Sequence, residues 1–210
     1  MSRTTIIKAA LRITLGVCFI FSGLMKAVNV YSFAQEIRWY IEAYLDPFFV
    51  QWTVKIAVAI CVIETISGLL VLRKRNVQII SVIILGLMSF FVWLTGVNLF
   101  FPSLMGSIES CGCFGELIHF SPLGSFVKSI ILWMMAVGLF GLCVRTERRM
   151  PLKDMLMDSK TYVIIAVGVL PAIYSYFCFE NMEHGCYLTG YLTLCAFVVI
   201  ISGICYVNRK

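Results

Sequence analysis

Long apolar runs, separated by short segments that carry most of the charge, dominate this sequence. About 20 apolar residues in a helix cross the roughly 30 Å hydrocarbon core of a bilayer. The runs that approach or exceed this length cover residues 6–28, 48–72, 77–101, 126–144, 162–179 and 187–207. The last two are near the minimum for crossing. The pattern predicts an all-α fold: a polytopic transmembrane helical bundle with a four-helix core unit plus two further C-terminal spans.

The segment between the first two spans, residues 29–47, has a different pattern. Its larger apolar and aromatic side chains recur at helical spacing, while Gln and acidic residues lie mostly off that stripe. The stripe consists of Phe33, Ile37, Tyr40, Ile41 and Tyr44. A helix with one apolar and one polar face is typical of a segment in the plane of the membrane interface. We therefore predict a short amphipathic helix here.

Composition and charge fix the class of protein and its expected orientation. Of the 210 residues, 60% are hydrophobic and 13% are charged, which excludes an ordinary soluble domain. The net charge of +6 comes largely from basic clusters at residues 73–75 and 145–160. The positive-inside rule assigns such loops to the cytoplasm, so they do not indicate a nucleic-acid partner. We expect a multi-pass protein of the plasma (inner) membrane, in contact with lipid, with both termini cytoplasmic.

This topology divides the chain into two units. Residues 1–145 form a four-helix membrane domain with a cysteine-bearing loop on the outer face. Residues 146–210 form a basic cytoplasmic loop and a C-terminal helical hairpin.

The outer loop contains Ser110-Cys111-Gly112-Cys113-Phe114-Gly115. An extended chain puts the two cysteine α-carbons at most about 7 Å apart, and a turn at Gly112 could bring them into the roughly 4.4–6.8 Å range of a disulfide. A strained, exposed disulfide is typically labile and redox-active. The alternatives are a static disulfide or half of a zinc site with His119, for which two further ligands are not evident. We predict a redox pair and no metal.

A second cysteine pair, Cys178 and Cys186, brackets the turn between the last two spans. A second redox pair is one interpretation, because relay enzymes pass electrons between pairs. A structural disulfide or two unpaired thiols is the simpler one. The remaining cysteines lie in apolar runs and are expected to be small buried hydrophobes: Cys18, Cys61, Cys143, Cys195 and Cys205.

Ionisable residues inside the spans are costly and are candidate functional groups. Glu64 is the deepest of them. It could pair with Lys26 or Arg12 across the first two spans, or receive protons during quinone chemistry; structural pairing is the simpler interpretation. We expect the side chain of Arg12 to snorkel towards the inner surface and that of Lys26 towards the outer one.

Several of these residues occur in an order that resembles the MauE/DoxX group of redox-associated membrane proteins. The shared features are Arg12-x3-Gly16, Phe21-Ser22-Gly23-x2-Lys26, an aromatic helix near Tyr40, Glu64, Phe90 and Cys111-Gly112-Cys113-Phe114-Gly115. The resemblance covers roughly residues 6–145. It implies a small helical bundle that handles disulfides in the cell envelope, with a thioredoxin-fold or disulfide-containing envelope protein as partner. MauE is implicated in maturing methylamine dehydrogenase, and DoxX relatives make a quinone acceptor plausible.

The leading hypothesis is a membrane thiol–disulfide oxidoreductase, or an accessory factor for disulfide formation in envelope proteins. Cys111 and Cys113 would carry the exchange, and Gly112, Phe114 and Gly115 would support the loop. One alternative is a non-enzymatic assembly factor or anchor for a secreted client, as in methylamine dehydrogenase maturation. Another is a small proton-coupled transporter that uses Glu64.

Overall fold

The computed structural model describes residues 3–73, 77–101, 121–146 and 159–179, and every regular element in these ranges is helical. The helices are α1 (Arg3–Val28), α2 (Val30–Tyr44), a 3-10 helix (Pro47–Trp52), α3 (Thr53–Leu72), α4 (Val77–Phe100), α5 (Pro122–Thr146) and α6 (Ser159–Phe179). Within these ranges, four segments are long and apolar enough to cross a membrane: α1, the 3-10 helix with α3, α4 and α5. The predicted all-α, polytopic membrane fold is confirmed.

The fifth predicted span forms a helix, α6, whose apolar stretch is shorter and covers Ile164–Ile173. Pro171 lies inside this helix. The sixth predicted span, residues 187–207, lies outside the described residues. The proposed division into residues 1–145 and 146–210 therefore stays a prediction.

In the connection between α1 and α3, two polar side chains cap the starts of the helices. The Asn29 side chain accepts a hydrogen bond from the Ser32 backbone N–H and caps α2. Asp46 Oδ1 accepts one from the Phe48 N–H at 2.8 Å, and Pro47 begins the 3-10 helix. Short polar side chains at these positions satisfy amides that a helix start leaves without partners. The second span consequently begins as a 3-10 helix and becomes α-helical at Thr53.

Helices α1 and α3 pack antiparallel and very closely. Gly16 lies against Leu72 near one end of the pair, whereas Gly23 lies against Cys61 and Thr65 further along. A methyl group placed on Gly68 would lie 2.8 Å from the carbonyl oxygen of Gly16. Small residues that let helix backbones approach are the usual basis of packing between membrane helices, where lipid provides no hydrophobic drive.

Helices α4 and α5 form the second closely packed pair, and α6 packs on α3 and α1. We call the end where α4 finishes and α5 starts the loop end, and the opposite end, where α3 finishes and α4 starts, the basic end. The half of the bundle towards the basic end is filled by an apolar cluster. Its fully buried members include Leu15, Val71, Ile80, Ile84 and Leu139.

Candidate functional site

A buried ion pair joins α1 to α3. Lys26 Nζ lies 2.6 Å from Glu64 Oε1, and the exposed fractions of the two side chains are 0% and 2%. The prediction that the Lys26 side chain snorkels to the outer surface is wrong. It is held in the interior because α2 turns back after Asn29 and brings the ring of Phe33 over the ammonium group, at 5.1 Å from the ring centroid.

The Lys26 ammonium has further partners besides the carboxylate. It donates to Ser22 Oγ at 3.2 Å, and it lies 4.7 Å from the centroid of the Phe91 ring on α4. The negative face of an aromatic ring attracts a cation, by about 2 kcal/mol or more where water is excluded. The positive charge is therefore stabilised by a carboxylate, a hydroxyl and two rings contributed by four helices, α1 to α4.

Arg12, the other predicted partner of Glu64, contacts a different part of α3. Its Nε donates to the carbonyl oxygen of Val71 at 2.7 Å, and one terminal nitrogen donates to that of Leu72 at 3.0 Å. The last carbonyls of a helix have no partner within it and carry the negative end of its dipole. Arg12 thus caps the end of α3, about 10 Å along the helix axis from Glu64 at ~1.5 Å per residue.

A small cavity of about 30 Å³ adjoins the ion pair. Its lining includes Ser22 and Cys18 of α1, and Lys128 and Ser129 of α5. The second carboxylate oxygen, Glu64 Oε2, is buried and has no hydrogen-bond partner in the structure. A cavity of this volume holds one or two water molecules, whereas an apolar cavity that takes a benzene ring is on the order of 150 Å³. The cavity itself is therefore too small to hold a quinone ring.

The cavity lies near the middle of the bundle, and its α4 residue Phe91 and α5 residue Lys128 are nearer to the loop end than to the basic end. At ~1.5 Å per residue, Phe91 is about 13 Å before the end of α4 at Phe100, and Lys128 is about 9 Å after the start of α5 at Pro122. The segment that links α4 to α5 carries the two closely spaced cysteines. Both ends of that segment consequently leave the bundle within about 9–13 Å, along the helix axes, of residues that line the cavity.

The family model for "Methylamine utilisation protein MauE" matches residues 4–142. This range includes the cysteine-bearing segment and all of α1 to α5 except the first residue of α1 and the last four of α5. The chain belongs to the MauE family. It is also similar to Protein TlpB of Flavobacterium psychrophilum, with 26% identity over 174 residues, covering 78% of this chain and 42% of TlpB. The chain thus spans less than half the length of that relative. No solved structure matches it.

The matched MauE region contains most of the predicted site residues, but the structure describes only some of them. Residues 111–115, the Cys-Gly-Cys-Phe-Gly sequence, lie outside the described residues, as does Cys186. Cys178 lies in the last turn of α6. The roles predicted for these residues stay predictions. Across the described part of the chain, no three His, Cys, Asp or Glu side chains are grouped as a metal site would need.

Three cysteines of this MauE family member are described in full, and none of them forms a disulfide. Cys61 and Cys143 are buried, as expected for small hydrophobes in apolar runs. Cys18 is half-buried and lines the cavity beside the ion pair. Its position in an apolar run gave no indication of this polar neighbourhood.

The polar α5 residues of the cavity, Lys128 and Ser129, were not identified from the sequence. Lys128 looks like a residue near the start of a span, where a long cationic side chain normally reaches the interface. The sequence feature that could have indicated a polar site on α5 is the spacing of Ser125 and Ser129, two polar residues one turn apart in a mainly apolar run. Both are buried, at 0% and 2% exposure, on the face of α5 that packs into the bundle.

Proposed function

We propose that this chain is a membrane thiol–disulfide oxidoreductase, or an accessory factor for disulfide formation in envelope proteins. The observation that carries the proposal is the Cys111-Gly112-Cys113 sequence between α4 and α5, in a multi-pass protein of the MauE family. A single glycine between two thiols suits a labile disulfide better than a structural one. Cys178 and Cys186 are a candidate second pair. The client would be a thioredoxin-fold or disulfide-containing envelope protein.

The exchange needs no group beyond the two proteins. A thiolate of a client dithiol attacks one sulfur of the Cys111–Cys113 disulfide, whose S–S bond breaks as a mixed disulfide forms. The second client thiolate then attacks the mixed disulfide and completes the client's own S–S bond. The client loses two electrons, and Cys111 and Cys113 gain them with two protons. Run in reverse, the same steps reduce a client disulfide.

This function requires the cysteine-bearing segment to face an oxidising compartment, since disulfides are rare in the cytosol. The basic clusters at residues 73–75 and 145–160 support that orientation. We expect a membrane-impermeant maleimide to label Cys111 or Cys113 in intact, reduced cells of a Cys186→Ser strain. The Cys111→Ser/Cys113→Ser variant in that strain is the control and should lose the label. Labelling that appears only after the cells are opened contradicts the orientation.

Trapping the mixed disulfide tests the exchange itself. We infer Cys113 to be the attacking thiol, because the turn expected at Phe114-Gly115 exposes it. Cys111→Ser should then accumulate a partner-linked species on non-reducing gels, since the resolving thiol is missing. Cys113→Ser and the double variant should not. Cys143→Ser changes a cysteine that is fully buried in α5, and it should behave as the unaltered protein does.

The trapping result also separates the proposal from its main alternative, a non-enzymatic assembly factor or anchor. If neither single variant captures a partner and the double variant still supports disulfide formation in the envelope, the pair is structural. The assembly-factor function would then replace the redox function. Accumulation in Cys113→Ser alone would exchange the roles of the two cysteines and leave the exchange mechanism intact.

A further inference from the structure

Among the described residues, three buried polar atoms without hydrogen-bond partners lie beside the cavity or between it and the loop end. They are Glu64 Oε2, the side-chain amide nitrogen of Asn98 and the hydroxyl of Ser125. The residues that carry them are 2%, 4% and 0% exposed. A buried polar group without a partner costs about 1–3 kcal/mol, so such groups in native proteins commonly bind ordered water.

Buried polar side chains on two helices, α4 and α5, continue from the cavity beside Glu64. Ser129 lines the cavity beside Glu64, and Ser125 is one turn nearer to the loop end on the same face of α5. On α4 the buried residues Thr95 and Asn98 continue from the cavity towards Phe100. We call Thr95, Asn98, Ser125 and Ser129 the polar track. It leads from the cavity to the loop end of the bundle.

Towards the basic end the described core is mainly apolar, although Ser67 and Ser81 are buried there. Between the cavity and the basic end, the apolar cluster that includes Leu15, Ile84 and Leu139 fills the bundle, and these residues are fully buried. Charges and water are strongly disfavoured in a packed apolar region. Among the described residues, the series of polar side chains that starts at the cavity runs to the loop end, so we expect water and protons to enter from there.

The ionisable groups around Glu64 come from three helices. Lys26 and Cys18 belong to α1, Cys61 lies about one turn away on α3, and Lys128 reaches the cavity from α5. The lining contributed by α4 is apolar, and the described residues of α2 and α6 add no ionisable group to it. Glu64 is the only carboxylate in the described lining.

We propose that the cavity binds one or two water molecules and that Glu64 takes up and releases a proton through them, along the polar track. Hydronium delivers the proton to Glu64 Oε2, and water carries it away again. When the Glu64 carboxyl is neutral, the Lys26 ammonium group stays charged, because Ser22 and the rings of Phe33 and Phe91 continue to stabilise it. The site does not depend on the redox chemistry of the cysteines and stands if that function fails.

Difference infrared spectroscopy of the full chain in liposomes tests the proton site. Acidification should produce the carbonyl band of a protonated carboxyl group. Glu64→Gln should remove that band, and Glu64→Asp should move it, which keeps the test valid if the glutamine variant folds poorly. Glu42→Gln is the matched control, because Glu42 is an exposed carboxylate paired with Arg38 on α2; it should leave the band in place.

Deuterium exchange tests the route. After transfer to D2O, rapid-mixing infrared spectroscopy should record a shift of the Glu64 band, at a measurable rate, if water reaches the cavity. Ser125→Ala combined with Asn98→Leu should slow that shift by about tenfold or more, the effect expected for the loss of a hydrogen-bonding step. Ser89→Ala is the control, since Ser89 is an exposed α4 hydroxyl. An absent band, one that persists in Glu64→Gln, or one that D2O does not shift would overturn the proton site. An unchanged rate in the double variant would overturn the track.

Discussion

Replacing Lys26 by Met is expected to destabilise the folded protein by about 3–5 kcal/mol, because it leaves the Glu64 carboxylate buried without its cation. The two groups are 2.6 Å apart and almost completely buried. Glu64→Gln should cost less, about 1–2 kcal/mol, since the remaining ammonium keeps the Ser22 hydroxyl and two aromatic rings. The free energy of unfolding in detergent, measured by denaturant titration, gives both values.

The double variant Lys26→Met/Glu64→Gln completes a thermodynamic cycle. Its cost should be clearly smaller than the sum of the single costs, because both charges have gone and no buried charge is left unpaired. Glu42→Gln removes a carboxylate from an exposed pair with Arg38 and should change stability by about 0.5 kcal/mol or less. Additive single effects, or a Lys26→Met variant as stable as the original, would show that the ion pair does not hold α1 against α3.

Replacing Gly68 by Ala is expected to destabilise the protein by about 1–3 kcal/mol, since overpacking forces the two helices apart. The added methyl carbon would lie 2.8 Å from the Gly16 carbonyl oxygen and 2.8 Å from the Ile20 backbone nitrogen. Both are backbone atoms, which no change of rotamer can move away. The same separation would lengthen the Lys26–Glu64 contact, so the variant should also shift the Glu64 infrared band.

Gly86→Ala is the matched control for this prediction. Gly86 lies inside α4 with nothing within 4 Å of an added methyl carbon. Alanine favours the helix over glycine by up to about 1 kcal/mol, so this variant should be as stable as the original protein or slightly more stable. Equal effects of the two substitutions, measured as shifts of the thermal unfolding midpoint, would mean that close contact between α1 and α3 is not what makes Gly68 necessary.

The length and polarity of the apolar runs were sufficient to locate the helices. The predicted span at residues 77–101 is α4 at Val77–Phe100, and the predicted amphipathic segment at residues 29–47 is α2 at Val30–Tyr44. Such features are local, because a helix satisfies its own backbone hydrogen bonds and its length must match the bilayer. The sequence also identified Glu64, Lys26 and Arg12 as residues needing an explanation, since charge inside a span is costly.

Only the tertiary structure decided which of these charges meet. The antiparallel register of α1 and α3, set by glycines at the contact, brings Lys26 to Glu64 and leaves Arg12 at the end of α3. The cavity needed residues from α5, far away in the sequence, and the return of α2 buried a lysine expected at the surface. Hydropathy measures the cost of burying each residue alone, whereas pairing depends on the distance between side chains on different helices. The sequence by itself therefore determined where the four long apolar helices lie, and packing determined which of their polar groups form a site.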